Sequence, residues 1–467
     1  MKFIAHPRPQ ARIRSASPSA PRIIIIGAGL AGIAASAALT DRGSHTILLE
    51  RRGLLGGRAT SFFDAATDTL LDNCQHVLLG CCTELLKLYR RLGTNHEIEF
   101  FDTIHFADQT GRRADLCVSA LPSPLHLAPS MLRFGLLSLA DKSQIARTLL
   151  AMKLLCDSGR RAVAQQTFAD WLRDHGQSQS AIDRFWNVII TSALNEDVSR
   201  AGAGYGIQVF QQAFLGDRAG YRMGLPAVPL AELYRSAVAS DVRTNARVVA
   251  LLGDGRVAGV RLATGEDIFA DAILLATAPD AAERLLESAP ARLQPSLADL
   301  RRRIGQLEHS PILGIHLWFD RPVMDLPHLA LIGTRLQWLF RKDSAGRHLH
   351  AVISAAREFV DWPEEKIAAL CLAEMARILP GSAAAQLLRI RVIKEKRATF
   401  SPVPDVDALR PGQGTGVAGL YLAGDYTQTD WPATMEGAVR SGLRAAEAIV
   451  RGEGKNRRGD AAKGMRR

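Results

Sequence analysis

The chain has 467 residues, 47% of them hydrophobic and 22% charged, which exceeds one simple core and suits two or three folded domains. Only 6% are aromatic, and eight of the eleven net positive charges lie in the terminal segments, so the body offers no nucleic-acid-binding surface. Six cysteines show neither a CxxC pair nor metal-ligand spacing, so they read as reduced thiols of a cytoplasmic protein without a metal site.

Residues 1–21 carry Lys2, Arg8, Arg12 and Arg14 and no acid. They lack a continuous apolar run and do not read as a secretory signal; a transit peptide, an overextended start and a loose tail all fit. Arg22–Ile26 is β-branched, continuous and ended by glycine, the pattern of a buried parallel strand. Leu30–Arg42 follows as a helix, Gly43 stops it, and His45–Glu50 forms a second strand. Between strand and helix stand Gly27 for a tight turn, Gly29 for close approach to a pyrophosphate, and Gly32 for helix-on-strand packing. Leu30 and Ala31 then open a helix whose free N–H groups face phosphates. Glu50, followed by Arg51, ends the second strand where a carboxylate accepts hydrogen bonds from a ribose. Six residues on, Gly56-Gly57-Arg58 suits a loop folded over the diphosphate. An NAD-only dehydrogenase has no need of that loop, which shifts the reading to FAD.

Leu78–Leu92 places Leu78, Cys82, Leu85, Leu86, Tyr89 and Leu92 on one stripe, an amphipathic helix ended by Gly93. From about Phe106 to Tyr221 the pattern changes to longer helices with little strand alternation, and Met131–Cys156 is apolar for a surface element. Strand patterning returns with Val248–Leu252, the turn Gly253-Asp254-Gly255, Val257–Leu262 and Ala272–Ala276. Ile312–Phe319, Leu336–Phe340 and His348–Ala355 are further strands. The last unit is a strand over Leu420–Gly424 and a helix from about Thr434 to Val450. Asp425, after Gly424, is placed to hold ribityl hydroxyls. The helix start at Thr434, Met435 and Glu436 would aim its positive end at a flavin. Two charge-free runs, Ile23–Thr40 and Leu116–Leu132, are interrupted by Gly27, Gly29 and Gly32 and by Pro122, Pro124 and Pro129, so no transmembrane helix is expected. No second glycine fingerprint has the required spacing, so a separate electron donor is expected.

Through Gly27–Gly32, Glu50, Gly56–Arg58, Asn245–Val248, Asp425 and Met435–Gly437 the sequence resembles the flavin amine oxidase and carotenoid-desaturase superfamily. Within it, Asp72-Asn73-Cys74-Gln75-His76 and Glu395-Lys396-Arg397-Ala398-Thr399-Phe400 resemble the squalene-associated branch, that of the bacterial hydroxysqualene dehydroxylases. The resemblance spans roughly residues 22–448. It implies an α/β fold: a Rossmann-like FAD-binding domain of glutathione-reductase type, amine-oxidase-like, with an inserted α+β substrate domain. The FAD-binding domain would take residues 22–105, 222–300 and 391–450, the substrate domain 106–221 and 301–390, and disordered basic tails 1–21 and 451–467.

The reaction that the resemblance implies replaces the allylic hydroxyl of hydroxysqualene with hydrogen, giving squalene, with FAD bound non-covalently. It needs an acid for the leaving hydroxyl, a hydride from reduced flavin and a dry tunnel for an isoprenoid chain. His76 is the leading acid, with a structural histidine as the alternative. Gln75 would orient a hydroxyl or a flavin carbonyl, Asp72 would hold the loop or the histidine, and Val248 would meet the adenine through its backbone. Glu395 and Arg397 read first as a structural ion pair. The apolar block Leu116–Cys156 would line the tunnel or dock peripherally on the inner face of the cytoplasmic membrane, core packing being the default for any one leucine. The branch usually has glycine where this chain has Cys74, which costs strain if that glycine has positive φ. Rival readings are a carotenoid-type desaturase, a monoamine oxidase with an aromatic cage, and a prenyl-lipid carrier of the GDP-dissociation-inhibitor type.

Overall fold

A computed structural model describes residues 20–464, with side chains as far as residue 452. The two expected tails therefore lie outside the described residues, save for residues 20 and 21 and the backbone of a helix that continues to Gly464. A five-stranded parallel sheet carries the strands in the order Asp241–Arg243, His45–Leu49, Arg22–Ile26, Ala272–Leu275 and Leu420–Leu422. Ile26 is in register with Leu49 on one side and Leu275 on the other. Strands from the start, middle and end of the chain thus end along one edge, where an open α/β sheet binds its ligand.

Ile23, Ile24 and Ile25 are fully buried, as a strand covered on both faces requires. One cover is a helix pair, Leu30–Asp41 and Met435–Gly464. Their crossing is close: a β-carbon on Gly442 would stand 2.1 Å from the carbonyl oxygen of Ala31. An antiparallel ribbon of Val248–Leu252, Gly259–Leu262 and Asp267–Phe269 projects from the crossover.

A second sheet has seven strands in the order Leu387–Phe400, His309–Phe319, His348–Ile353, Trp338–Arg341, His328–Ile332, Thr103–Asp108 and Arg113–Cys117. All its pairs are antiparallel except His328–Ile332 with Thr103–Asp108. Helices over residues 128–214 pack on it and share one apolar cluster with it.

Two local expectations change. The stripe from Leu78 is not one helix: Leu78–Leu79 pairs with Met223–Gly224 as a strand, and the helix begins at Thr83. Gly80 explains the break, since its backbone lies so close to Ala219 that a β-carbon would overlap the Ala219 carbonyl. The start of the block expected to be helical is a hairpin, Thr103–Asp108 and Arg113–Cys117, turning at Gly111 with φ +81°. Leu387–Phe400, for which no element was expected, is one long strand, so Glu395 lies on a sheet.

Candidate active site

The glycine loop shows why Gly27 and Gly32 are small. Gly27 has φ +102°, and a β-carbon there would come 2.5 Å from the Ala276 carbonyl oxygen. Gly32 packs on Gly27 itself, at 2.0 Å from its carbonyl oxygen by the same construction. Gly29 faces Gly57 across a gap in which a β-carbon on Gly57 would be 3.0 Å from the Gly29 α-carbon. The Gly56 N–H donates to the Ala28 carbonyl at 2.8 Å, fastening the second glycine loop over the first. Glu50 is buried; its carboxylate accepts from the Ala28 N–H at 2.9 Å and the Arg52 N–H at 3.0 Å. The Ala246 N–H donates to the Glu50 carbonyl at 2.8 Å, which draws Val248 to the same edge.

From the other end of the chain, Asp425 meets Arg58 in an ion pair, and Arg58 Nη1 also donates to the Ala398 carbonyl at 2.8 Å. Burial works against the Arg58 charge, but the facing Asp425 outweighs it and raises the guanidinium pKa. Thr434 caps the C-terminal helix by accepting from the Gly437 N–H at 3.1 Å. The Glu436 carboxylate turns to a neighbouring helix. It is fully buried and accepts from the N–H groups of Glu84 and Leu85 at 3.2 and 2.8 Å, capping the helix Thr83–Leu92.

One cavity of about 680 Å³ runs past these groups. Of the residues expected to hold the cofactor, Gly27, Gly29, Leu30, Ala31, Glu50, Arg51, Gly57, Arg58, Val248, Gly424, Asp425, Thr434, Met435 and Glu436 line it, and Gly32 does not. Gln75 and His76 line it as well, whereas Asp72 is buried behind them. The apolar part of the wall includes Leu116, Ile189, Phe214, Tyr221, Ile312 and Phe340.

The groups present fit a dinucleotide that ends in a flavin. The first turn of Leu30–Asp41 and that of the C-terminal helix leave N–H groups without intrahelical partners at the cavity wall. The Thr277 hydroxyl, on the same wall, is buried with no partner among the described residues. The glycine pair 29 and 57 keeps open a channel that side chains would fill.

Asp72 holds the loop, not the histidine. Its Oδ1 accepts from the Ser61 hydroxyl at 2.8 Å and the Leu230 N–H at 2.9 Å, and its Oδ2 faces Lys342 Nζ at 3.2 Å. Lys342 reaches on to Gln75 Oε1 at 3.1 Å. His76 Nδ1 lies 3.0 Å from the Cys74 carbonyl, which only accepts, so Nδ1 carries the proton. Burial pulls His76 below its ordinary pKa, while Asp72 and Glu395 pull it back up. Cys74 is buried and is not among the residues with positive φ, so it replaces glycine without backbone strain. Burial pushes its thiol up to about 12.

The expected ion pair within 395–397 does not form. Arg397 faces Asp280 at 3.6 Å, and the Glu395 side chain has no hydrogen bond or ion pair among the described residues and borders the cavity. Sequence reasoning also passed over Arg410 and Lys342. Arg410 is 1% exposed and donates to the Tyr205 hydroxyl at 2.6 Å and to the carbonyls of Asp425 and Thr427 at 3.1 and 2.5 Å, shaping the loop beyond Asp425. Each stands alone in an unremarkable stretch, and no local pattern marks either.

Comparison with known proteins agrees with this geometry. Residues 30–450 match the family model described as flavin containing amine oxidoreductase. A 15-cis-phytoene desaturase of an Oncidium hybrid cultivar is 29% identical over 92% of this chain and 77% of its own. A hydroxysqualene dehydroxylase of Sinorhizobium fredii is 28% identical over 91% of this chain and 97% of its own. The crystal structure of an oxidoreductase from Methanosarcina mazei superposes with a TM-score of 0.69 at 19% identity, covering 91% of this chain and all of that one. The chain belongs to the flavin-containing amine oxidoreductase family, and its fold is the Rossmann-like, FAD-binding α/β fold.

Proposed function

From that membership we propose that the chain is an FAD-dependent reductive dehydroxylase of hydroxysqualene, releasing squalene and water. The observation that carries the reading is the junction of the cofactor cradle with an apolar chamber in one cavity, with His76 and Glu395 on its wall. Bound FAD in its reduced form supplies the hydride. The protein's share is to bind, to keep the chamber dry and to bring a proton to the leaving hydroxyl. His76 is the proposed donor through Nε2, since Nδ1 is spent on the Cys74 carbonyl. Glu395, within Coulombic reach, favours the protonated ring. Gln75, anchored by Lys342, orients the hydroxyl.

The bonds and electrons balance: the C–O bond breaks to water, a C–H bond forms, and two electrons pass to the substrate. A separate donor returns them. FAD is proposed to be non-covalent, because the sequence has no cysteine near the C-terminal flavin motif, Leu420–Gly442. A second reading, desaturation of a carotenoid precursor, draws on the 29% identity to the Oncidium desaturase. It runs hydride transfer in the opposite sense and has no leaving hydroxyl to protonate.

An anaerobic assay separates them. The chemically reduced protein is mixed with hydroxysqualene, and the visible band of oxidised flavin is followed while squalene is extracted. The band should return in step with squalene. Flavin that stays reduced with hydroxysqualene, in a protein whose oxidised form is bleached by phytoene, would select the desaturase.

A further inference from the structure

We propose that Asn195 is a positioning residue of the site: it fixes a bulge in the strand Leu387–Phe400 that brings Glu395 to the cavity wall and the Ala398 carbonyl to Arg58. The bulge starts from a proline. His309 and Ser310 pair with Phe400 and Thr399, and pairing resumes at Ile312 with Glu395. One residue, Pro311, therefore stands opposite three, Lys396, Arg397 and Ala398. Proline has no N–H to give to a neighbouring strand, so the ladder breaks where it stands. Its carbonyl is engaged elsewhere, accepting from the Ala356 N–H at 3.0 Å. The extra residues re-aim their neighbours, as bulges beside active sites do. Lys396 and Arg397 are exposed, Glu395, Ala398 and Thr399 line the cavity, and the Ala398 carbonyl accepts from Arg58 Nη1 at 2.8 Å.

A stretch without ladder bonds shifts unless side chains hold it, and here Asn195 supplies the hold. It follows the helix Asn187–Leu194 with φ +54°, a left-handed position that asparagine tolerates. The side chain is buried at the edge of the cavity, and its amide makes three bonds. Nδ2 donates to the Ser310 carbonyl at 3.0 Å and to the Thr399 hydroxyl at 2.9 Å, so it spans the last regular pair before the bulge. Oδ1 accepts from the Ala355 N–H at 2.7 Å, next to the Ala356 that binds Pro311. A carbonyl only accepts and an N–H only donates, so these partners fix which way the amide points. The next residue adds a second grip. Glu196, fully buried, pairs with Arg357 at 2.6 Å, and Arg357 donates to the Ser401 hydroxyl at 2.8 Å.

The placement matters because the Glu395 carboxylate lies within Coulombic reach of Arg58, Cys74 and His76. Its charge favours the protonated His76 ring, and the bulge sets the distance over which it acts. Arg58 ties the same bulge to the loop of His76, since its backbone carbonyl accepts from Asn73 Nδ2 at 2.6 Å. The wall of the chamber, the cofactor cradle and the proton donor thus meet through one amide. That this serves catalysis rests on the dehydroxylase reading, in which His76 gives the proton.

The titration of His76 reads the role without turnover. In holoprotein labelled with ¹³C-histidine, the His76 ring signal is assigned by its loss in His76→Gln and followed from pH 4 to 8. Glu395→Gln should lower its midpoint by about one pH unit, as the loss of a nearby opposite charge does. Thr399→Val removes one acceptor, leaves the other two Asn195 bonds in place and should move the midpoint the same way; Thr399→Ser should restore it. Asn195→Gly keeps the left-handed turn and should displace the midpoint further than Thr399→Val. Neither should lower it further when combined with Glu395→Gln, because a residue that acts through Glu395 then has nothing to position. An unmoved midpoint in either variant, or a drop that adds fully to that of Glu395→Gln, overturns the proposal. The expected shifts in a protein that leaves hydroxysqualene unchanged would keep the positioning role and remove the dehydroxylase reading.

Discussion

His76 gives the site a pH dependence whose sign follows from its surroundings. Burial disfavours the charged ring, so at neutral pH the side chain is neutral and the protonated form gathers only below the ordinary histidine value of about 6.5. A donor of that kind makes turnover rise as pH falls. Glu395 and Asp72 oppose the burial, so removing the Glu395 charge should move the rising limb to still lower pH. Single-turnover reoxidation of reduced flavin by hydroxysqualene, measured from pH 5 to 8, should show that acidward displacement in Glu395→Gln. In His76→Gln the limb should vanish and the rate fall by roughly 10²–10⁴, the usual worth of a placed proton donor. A limb that persists in His76→Gln would remove the histidine from this role. Glu395 becomes the donor if its amide variant loses the whole rate at every pH.

At the scale of single elements, local signals were legible where one residue type answers one geometric need. The strand Arg22–Ile26, its three glycines and the terminal Glu50 lie as expected, because β-branching, absent side chains and a strand-end acid each leave a mark in the sequence. Glu436 lines the cavity, while its carboxylate serves another helix, whose N–H groups of Glu84 and Leu85 lie some 350 residues away and leave no local mark. Lys342, paired with Asp72 270 residues away, and Arg410, bonded to Tyr205 205 residues away, were invisible for the same reason. The helix Thr83–Leu92 depends on that remote cap. Glu436→Ala should cost about 1–3 kcal/mol, from the two uncapped N–H groups and the lost bond to Arg440, as read by denaturant unfolding of the apoprotein. Cofactor affinity should change little. A variant that keeps full stability yet loses flavin would return Glu436 to the cofactor.

Over the whole molecule, the cradle joins segments that are far apart in the chain: the loop at Arg58, the strand at Ala398 and the turn at Asp425. A ligand bound there favours the assembled state over the unfolded one, so FAD at a hundred times its Kd should add about 2.7 kcal/mol. Asp425→Asn keeps the shape of the side chain and removes the charge facing Arg58. If Asp425 also accepts from the cofactor, its affinity should fall by about tenfold, and at the same FAD concentration the gain should shrink to about 1.4 kcal/mol. Taking the difference between holo and apo unfolding for each variant matters, because Asp425→Asn also weakens the apoprotein by leaving Arg58 without its partner. An unchanged difference would confine Asp425 to holding the chain together. A smaller one would show that the same ion pair that joins the two ends of the fold also sets how tightly the cofactor is held.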